Sequence, residues 1–245
     1  MSPESWPEAP AWGLLYRVAG VAGILFVLFG IVALVLYALD PPPVSGGEAT
    51  LRFIADHRAS YIAQQLLWLV PSLFGLIVFV ALLIALMPSG PSLTVLGFTV
   101  GAGSWTALLA VPVTSEGTLS LVYLSDRFAV ETDAAVRASL VAAAEAFVAE
   151  NNTVALAGAL TPLGLLLISL PMTRGVLPRW IGWLGIVAGT LGLVSEVLRF
   201  AVPGLYAVYG PLLWAWFAAV GVALLRLPGE VRQPAAVRGT AAGRR

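Results

Sequence analysis

The chain contains no cysteine, no lysine and a single histidine, His57. Without thiols there is no disulfide, no catalytic thiolate, no iron–sulfur cluster and no Cys-ligated zinc. Without lysine there is no Schiff-base chemistry and no P-loop lysine. One histidine cannot make a bis-His haem or a two-His metal site. Charge is scarce as well: 11% of residues are charged, against about 25% in soluble domains. In its place stand 59% hydrophobic residues over 245 positions and a mean hydropathy of +0.93. That balance excludes a soluble globular domain and predicts an all-α fold, a polytopic membrane helix bundle. No catalytic residue, cofactor, metal or nucleic-acid partner is expected; the lipid bilayer is the certain partner.

Apolar runs of spanning length predict six transmembrane helices. The first, Val18 to Leu39, is 22 residues long behind Glu4, Glu8 and Arg17, too long and too acidic at its front for a cleaved signal peptide. The others are expected at Leu66 to Met87, Leu93 to Val113, Thr153 to Leu170, Ile181 to Leu198 and Leu212 to Leu225. Each is close to the roughly 20 residues that cross about 30 Å of hydrocarbon. The membrane domain would cover 18–226, between a cytoplasmic tail over 1–17 and a basic, disordered cytoplasmic tail over 227–245.

Arginine placement orients the bundle, because basic residues are retained in the cytoplasm. With both termini inside, the inner segments carry eight arginines against three glutamates, a net +5, and the outer segments four arginines against nine acids, a net −5. The expected location is therefore a cytoplasmic (inner) membrane, multi-pass, with an outer face that would prefer cations. The inner turns are short and rich in Pro and Gly, as in PSGPS at Pro88 to Ser92. Additional short helices are expected on the outer side, at about 47–60 with Leu51, Phe53 and Ile54 on its apolar side, and at 131–150 with Val136, Leu140, Ala143 and Phe147 at helical spacing. The Asn151-Asn152 pair is the expected break between the second of these and the fourth span.

Within the spans the packing signals are plain. Gly182, Gly185, Gly189 and Gly192 share one face of span five, with a shorter version at Gly97 and Gly101; such stripes let a neighbouring backbone approach closely. Pro71, Pro112 and Pro162 predict kinks in spans two, three and four. LMPSGPSLTVLGFTVG and LPMTRGVLPRWIGWLGIVAG share a Pro/Gly turn and a Leu-Gly-xxx-Gly, a faint parallel echo.

The string VLPRWIGWLGIVAGTLGLV at Val176 to Val194, RVAGVAGILFVLFGIVA at Arg17 to Ala33, and LSDRFA followed by an Ala-rich helix and Asn-Asn resemble a bacterial family of six-span integral membrane proteins classed as a domain of unknown function. The likeness runs from Arg17 to about Leu225, and its most specific element is the Leu-Pro-Arg-Trp turn before the Gly-rich helix. It implies the architecture, and neither a substrate nor catalytic residues.

Ionisable residues inside a span are functional candidates because burying them is costly. Glu196 leads, on the glycine face of span five with Arg199 one turn away. The pair is read either as an ion-paired anchor between helices or as a site lining an outward cavity. Glu116 closes span three at similar depth and could meet Arg199. Gln64 and Gln65 precede span two and Asn151 and Asn152 precede span four, forming either a polar ring or a solvated fringe. Ser104, in Gly101-Ala102-Gly103-Ser104, has a Gly-x-Ser context but no histidine on a span to act as base. The leading expectation is a non-enzymatic envelope partner, accessory subunit or scaffold, with a membrane-protein partner or a homo-oligomer. The alternative is a small oligomeric transporter or channel for a cation or small solute, with Glu196 near the pathway. A polar cavity reaching Glu196 favours transport, and a sealed bundle favours the scaffold.

Overall fold

The computed structural model describes residues 12–43, 45–110, 113–114, 117–151, 156–202 and 204–230. Its elements are α1 (Gly13–Leu39), α2 (Gly47–Asp56), α3 (Arg58–Leu69), α4 (Pro71–Leu86), α5 (Pro91–Ala110), β1 (Val113–Thr114), β2 (Gly117–Thr118), α6 (Ser120–Val130), α7 (Ala134–Asn151), α8 (Leu156–Met172), α9 (Arg179–Val197) and α10 (Leu205–Glu230). Five stretches are long and apolar enough to cross a membrane: Gly13–Leu39, Arg58–Ser89, Pro91–Ala110, Arg179–Val197 and Leu205–Leu227. The sixth expected span corresponds to α8, which is apolar but 17 residues long, or about 26 Å at 1.5 Å per residue.

The apolar helices form a ring in chain order. α1 packs on α4, α4 on α5, α5 on α8, α8 on α9, α9 on α10, and α10 returns to α1. Glycines set the close pairs. A Cβ on Gly97 would strike the Ile168 backbone 2.5 Å away, and one on Gly189 would strike the Leu166 backbone nitrogen at 2.7 Å and the Pro162 carbonyl oxygen at 2.8 Å. A Cβ on Gly23 would stand 2.9 Å from the Phe217 carbonyl oxygen, across α1 and α10. The glycine face of α9 is thus covered by α8, with Trp216 and Tyr209 of α10 beside Gly185 and Gly192. The two halves of the sequence echo meet on α8, Gly97 at Ile168 and Gly185 at Ser169.

Proline marks the irregularities. Pro71 lacks the N–H that would reach back one turn, so α3 ends at Leu69 and the chain resumes as α4, with the Leu73 amide bonding the Val70 carbonyl at 3.0 Å in a tighter turn. The combined segment Arg58–Ser89 has 32 residues, about 48 Å, so its first turns project past the bundle. α5 stops at Ala110 rather than near Val113, which instead pairs with Thr118 in a two-stranded hairpin. Pro112 itself lies outside the described residues. Pro162 lies inside α8 and removes the helical donor for the Gly158 carbonyl.

At one end of the ring α2, α6 and α7 pack on one another and on the start of α3 around Leu51, Ile54, Tyr61, Leu121, Val122, Phe128 and Ala144; this is the cap end. The 47–60 segment divides, Gly47–Asp56 forming α2 while Arg58 onward begins α3. In α7 the buried residues are Ala144 and Val148, and Val136 is exposed, a face rotated by about one residue from the expected one. Tyr61 fastens cap to ring: its hydroxyl donates to the Thr118 carbonyl at 3.1 Å and accepts from the Thr118 amide at 3.2 Å. Gly117, at φ +143°, brings its backbone against that hydroxyl.

Candidate functional site

The six ring helices enclose a cavity of about 270 Å³ in the half nearer the cap. All of them contribute: Phe26 and Gly30 from α1, Trp68 and Ser72 from α3 and α4, Trp105 from α5, Gly158 and Thr161 from α8, Glu196 from α9, and Tyr209 and Trp214 from α10. Toward the other end it is closed at mid-depth by an aromatic cluster. Phe26 stacks on Phe217 with centroids 3.9 Å apart, and Trp105 meets both edge-on at 5.4 and 5.8 Å. At the cap end the rim reaches Glu150, which is exposed, and Asn151, Arg199 and Tyr206. The interruption between α3 and α4 falls on the wall, where Leu69 and Pro71 line it.

Glu196 is 3% exposed. Its side chain lies against Gly158 of α8, where a Cβ would collide with the carboxylate oxygen Oε1; only glycine leaves that room. The other oxygen faces Arg199 at 3.6 Å, an ion pair too long for a hydrogen bond, and neither oxygen receives one. Arg199, with a side chain 19% exposed, extends its Nη2 3.4 Å to the Asn151 carbonyl at the C-terminal end of α7 and holds its guanidinium 5.1 Å over the Tyr206 ring. It therefore spans the last carbonyls of a cap helix, where positive charge is favoured, and the carboxylate of α9.

Other polar atoms of wall residues are buried without a hydrogen-bond partner: Trp68 Nε1, Trp105 Nε1, Asn151 Oδ1 and the Tyr209 hydroxyl. A buried polar group left unbonded costs on the order of 1–3 kcal/mol. Their concentration around one cavity, together with the two Glu196 oxygens, gives a wall that offers donors and acceptors to an occupant.

The sequence candidates separate. Glu196, Arg199 and Asn151 come together at the cavity. Gln64 and Gln65 are buried, 2% exposed each, and neither belongs to the cavity wall; Gln65 Nε2 lies 3.0 Å from where a Cβ of Gly117 would stand. They form no solvated fringe. Glu116 and Asn152 lie outside the described residues, and with Glu116 the contact to Arg199. Ser104 shares a 2.5 Å hydrogen bond with Thr161, joining α5 to α8. His57 stacks on Phe53 in the cap, 3.5 Å from Asp40. Sequence reading missed the aromatic wall of Trp68, Trp105, Tyr206, Tyr209 and Trp214. Its signal was the excess of aromatics with polar tips deep inside apolar runs, where an indole N–H or phenol needs a partner.

No match was found among curated proteins or among solved structures. Residues 21–227 match a family model, the Domain of unknown function (DUF4386). With that match covering most of the chain, and with five apolar helices of membrane-spanning length, the protein is a membrane protein belonging to the DUF4386 family.

Proposed function

We propose that this protein is a six-span, non-enzymatic transporter or channel-like protein of the bacterial cytoplasmic membrane that takes a small solute from the outer face into the ring, with Glu196 as the ionisable group of the pathway. The carrying observation is the cavity that runs from the rim at Glu150 and Arg199 to a buried carboxylate. An ionisable side chain at membrane depth facing a cavity, rather than lipid, is the usual mark of a solute or proton path. Sidedness follows from the arginines: the cap end carries the acidic segments and faces out, and both termini face the cytoplasm. α8 then spans as a short helix whose shortfall local thinning of the bilayer accommodates. The interruption at Val70 and Pro71 beside the cavity is the type of irregular backbone that transporters tolerate where it lines a water-accessible space.

The accessory or scaffold reading takes its support from close-packing glycine faces, structured outer segments and a sequence without a catalytic constellation. Gly97, Gly182, Gly185 and Gly189 are occupied by α8 within the chain, so these faces require no partner. The test is solute flux in proteoliposomes holding the purified protein under an imposed pH gradient. Flux through the wild type that is lost in Glu196→Gln is the expected result. No flux of any solute in a panel of cations, neutral solutes and anions would refute the transport reading and return the search to membrane partners.

A further inference from the structure

Six aromatic residues line this cavity, Phe26, Trp68, Trp105, Tyr206, Tyr209 and Trp214, and one buried carboxylate lies among them. From this wall we infer that the solute is an organic ammonium ion carrying an oxygen acceptor a few atoms from its charge. This rests on the reading of the cavity as a solute site and names the class of solute that fits it. Aromatic faces attract cations through their quadrupole, by about 0.5–1 kcal/mol when exposed and about 2 or more when desolvated, and cages of such rings are the established way to hold quaternary ammonium groups. An inorganic cation is best served by a shell of oxygens, whereas this wall sets six aromatic residues around one buried acid.

The protein already places a cation of this kind in the rim. The Arg199 guanidinium rests over the Tyr206 ring and beside Glu196, yet the contact is loose, at 3.6 Å to the carboxylate and 3.4 Å to the Asn151 carbonyl. Arg199 is thus an internal stand-in that the solute cation displaces from Glu196, leaving the arginine on the carbonyl end of α7. The oxygen acceptor is read from the unpartnered donors of the same wall residues, Trp68 Nε1, Trp105 Nε1 and the Tyr209 hydroxyl. A cavity of about 270 Å³ lies just below the roughly 300–1,000 Å³ of drug-sized sites, so the solute is small.

The experiment uses the purified full chain in detergent, with intrinsic tryptophan fluorescence reporting binding and thermal unfolding. Probes are choline, its uncharged carbon isostere 3,3-dimethylbutan-1-ol, the anion 3,3-dimethylbutanoate, and sodium at matched ionic strength. Saturable choline binding is expected, at least ten-fold tighter than the isostere, weakened by Trp68→Leu and absent in Glu196→Gln. Arg199→Gln should bind choline more tightly than the wild type and be stabilised by it more, since the competing cation is gone. A merely structural arginine would not strengthen binding when removed. Equal binding of choline and its isostere, or preference for the anion or for sodium, would overturn the ammonium assignment. If a neutral or anionic solute shows Glu196-dependent flux while choline neither binds nor moves, the ammonium class fails and the transport reading stands. Choline binding without flux does the reverse, and neither binding nor flux of any probe refutes both.

Discussion

Removing one partner or the other of the Glu196–Arg199 pair should cost very different amounts of stability, because the two charges differ in their access to water. The carboxylate is 3% exposed and receives no hydrogen bond, while the guanidinium side chain is 19% exposed and keeps Tyr206 and the Asn151 carbonyl. At 3.6 Å the attraction is about 4–5 kcal/mol for an effective dielectric near 20, and breaking a buried pair from one side costs about 3–5 kcal/mol. Arg199→Gln strands a buried negative charge and should forfeit most of that. Glu196→Gln strands a cation that can turn to the rim and should cost within about 1 kcal/mol. The double variant should recover most of the loss of Arg199→Gln. For a chain of this size about 2–4 °C accompanies each kcal/mol, so Arg199→Gln should melt on the order of 10 °C below wild type in detergent, followed by tryptophan fluorescence at neutral pH without ligand. A single Arg199→Gln variant as stable as wild type, or a double variant no better than it, would refute the reasoning.

Gly189→Ala, a change that ordinarily gains about 1 kcal/mol in a helix, should destabilise the protein by about 1–3 kcal/mol, because its Cβ meets backbone atoms of α8 that cannot rotate away; thermal unfolding reads the sign. Tyr61→Phe should loosen the cap by about 1–3 kcal/mol through the loss of both Thr118 bonds, seen as faster amide exchange in residues 117–130 with little change in α9. Because the chain has no cysteine, single introduced thiols report sidedness cleanly. Asp133→Cys in intact cells should react with a membrane-impermeant maleimide and Ser89→Cys should not; the opposite pattern would invert the assigned orientation.

Five helices of the ring were legible because each is long and apolar enough to span, while α8 is shorter than the expected sixth span, and close pairs were legible because glycines at Gly97 and Gly189 announce contact with a backbone. Periodicity says which face is small, and it does not say which helix covers it; α8 proved to be shared by α5 and α9. The charged half of the site was visible for the reason that a lone acid inside an apolar run is rare and costly, which singled out Glu196 directly. The aromatic half was hidden, since Trp68, Tyr209 and Trp214 are as suited to a lipid-facing or core position as to a cavity wall, and only closure of the six-helix ring places them around one space. The same argument explains Gly158, which carries no helical-stripe pattern of its own. It is a glycine for the sake of a carboxylate 38 positions later in the chain, so Gly158→Ala should disturb Glu196 and the cavity before it disturbs the fold.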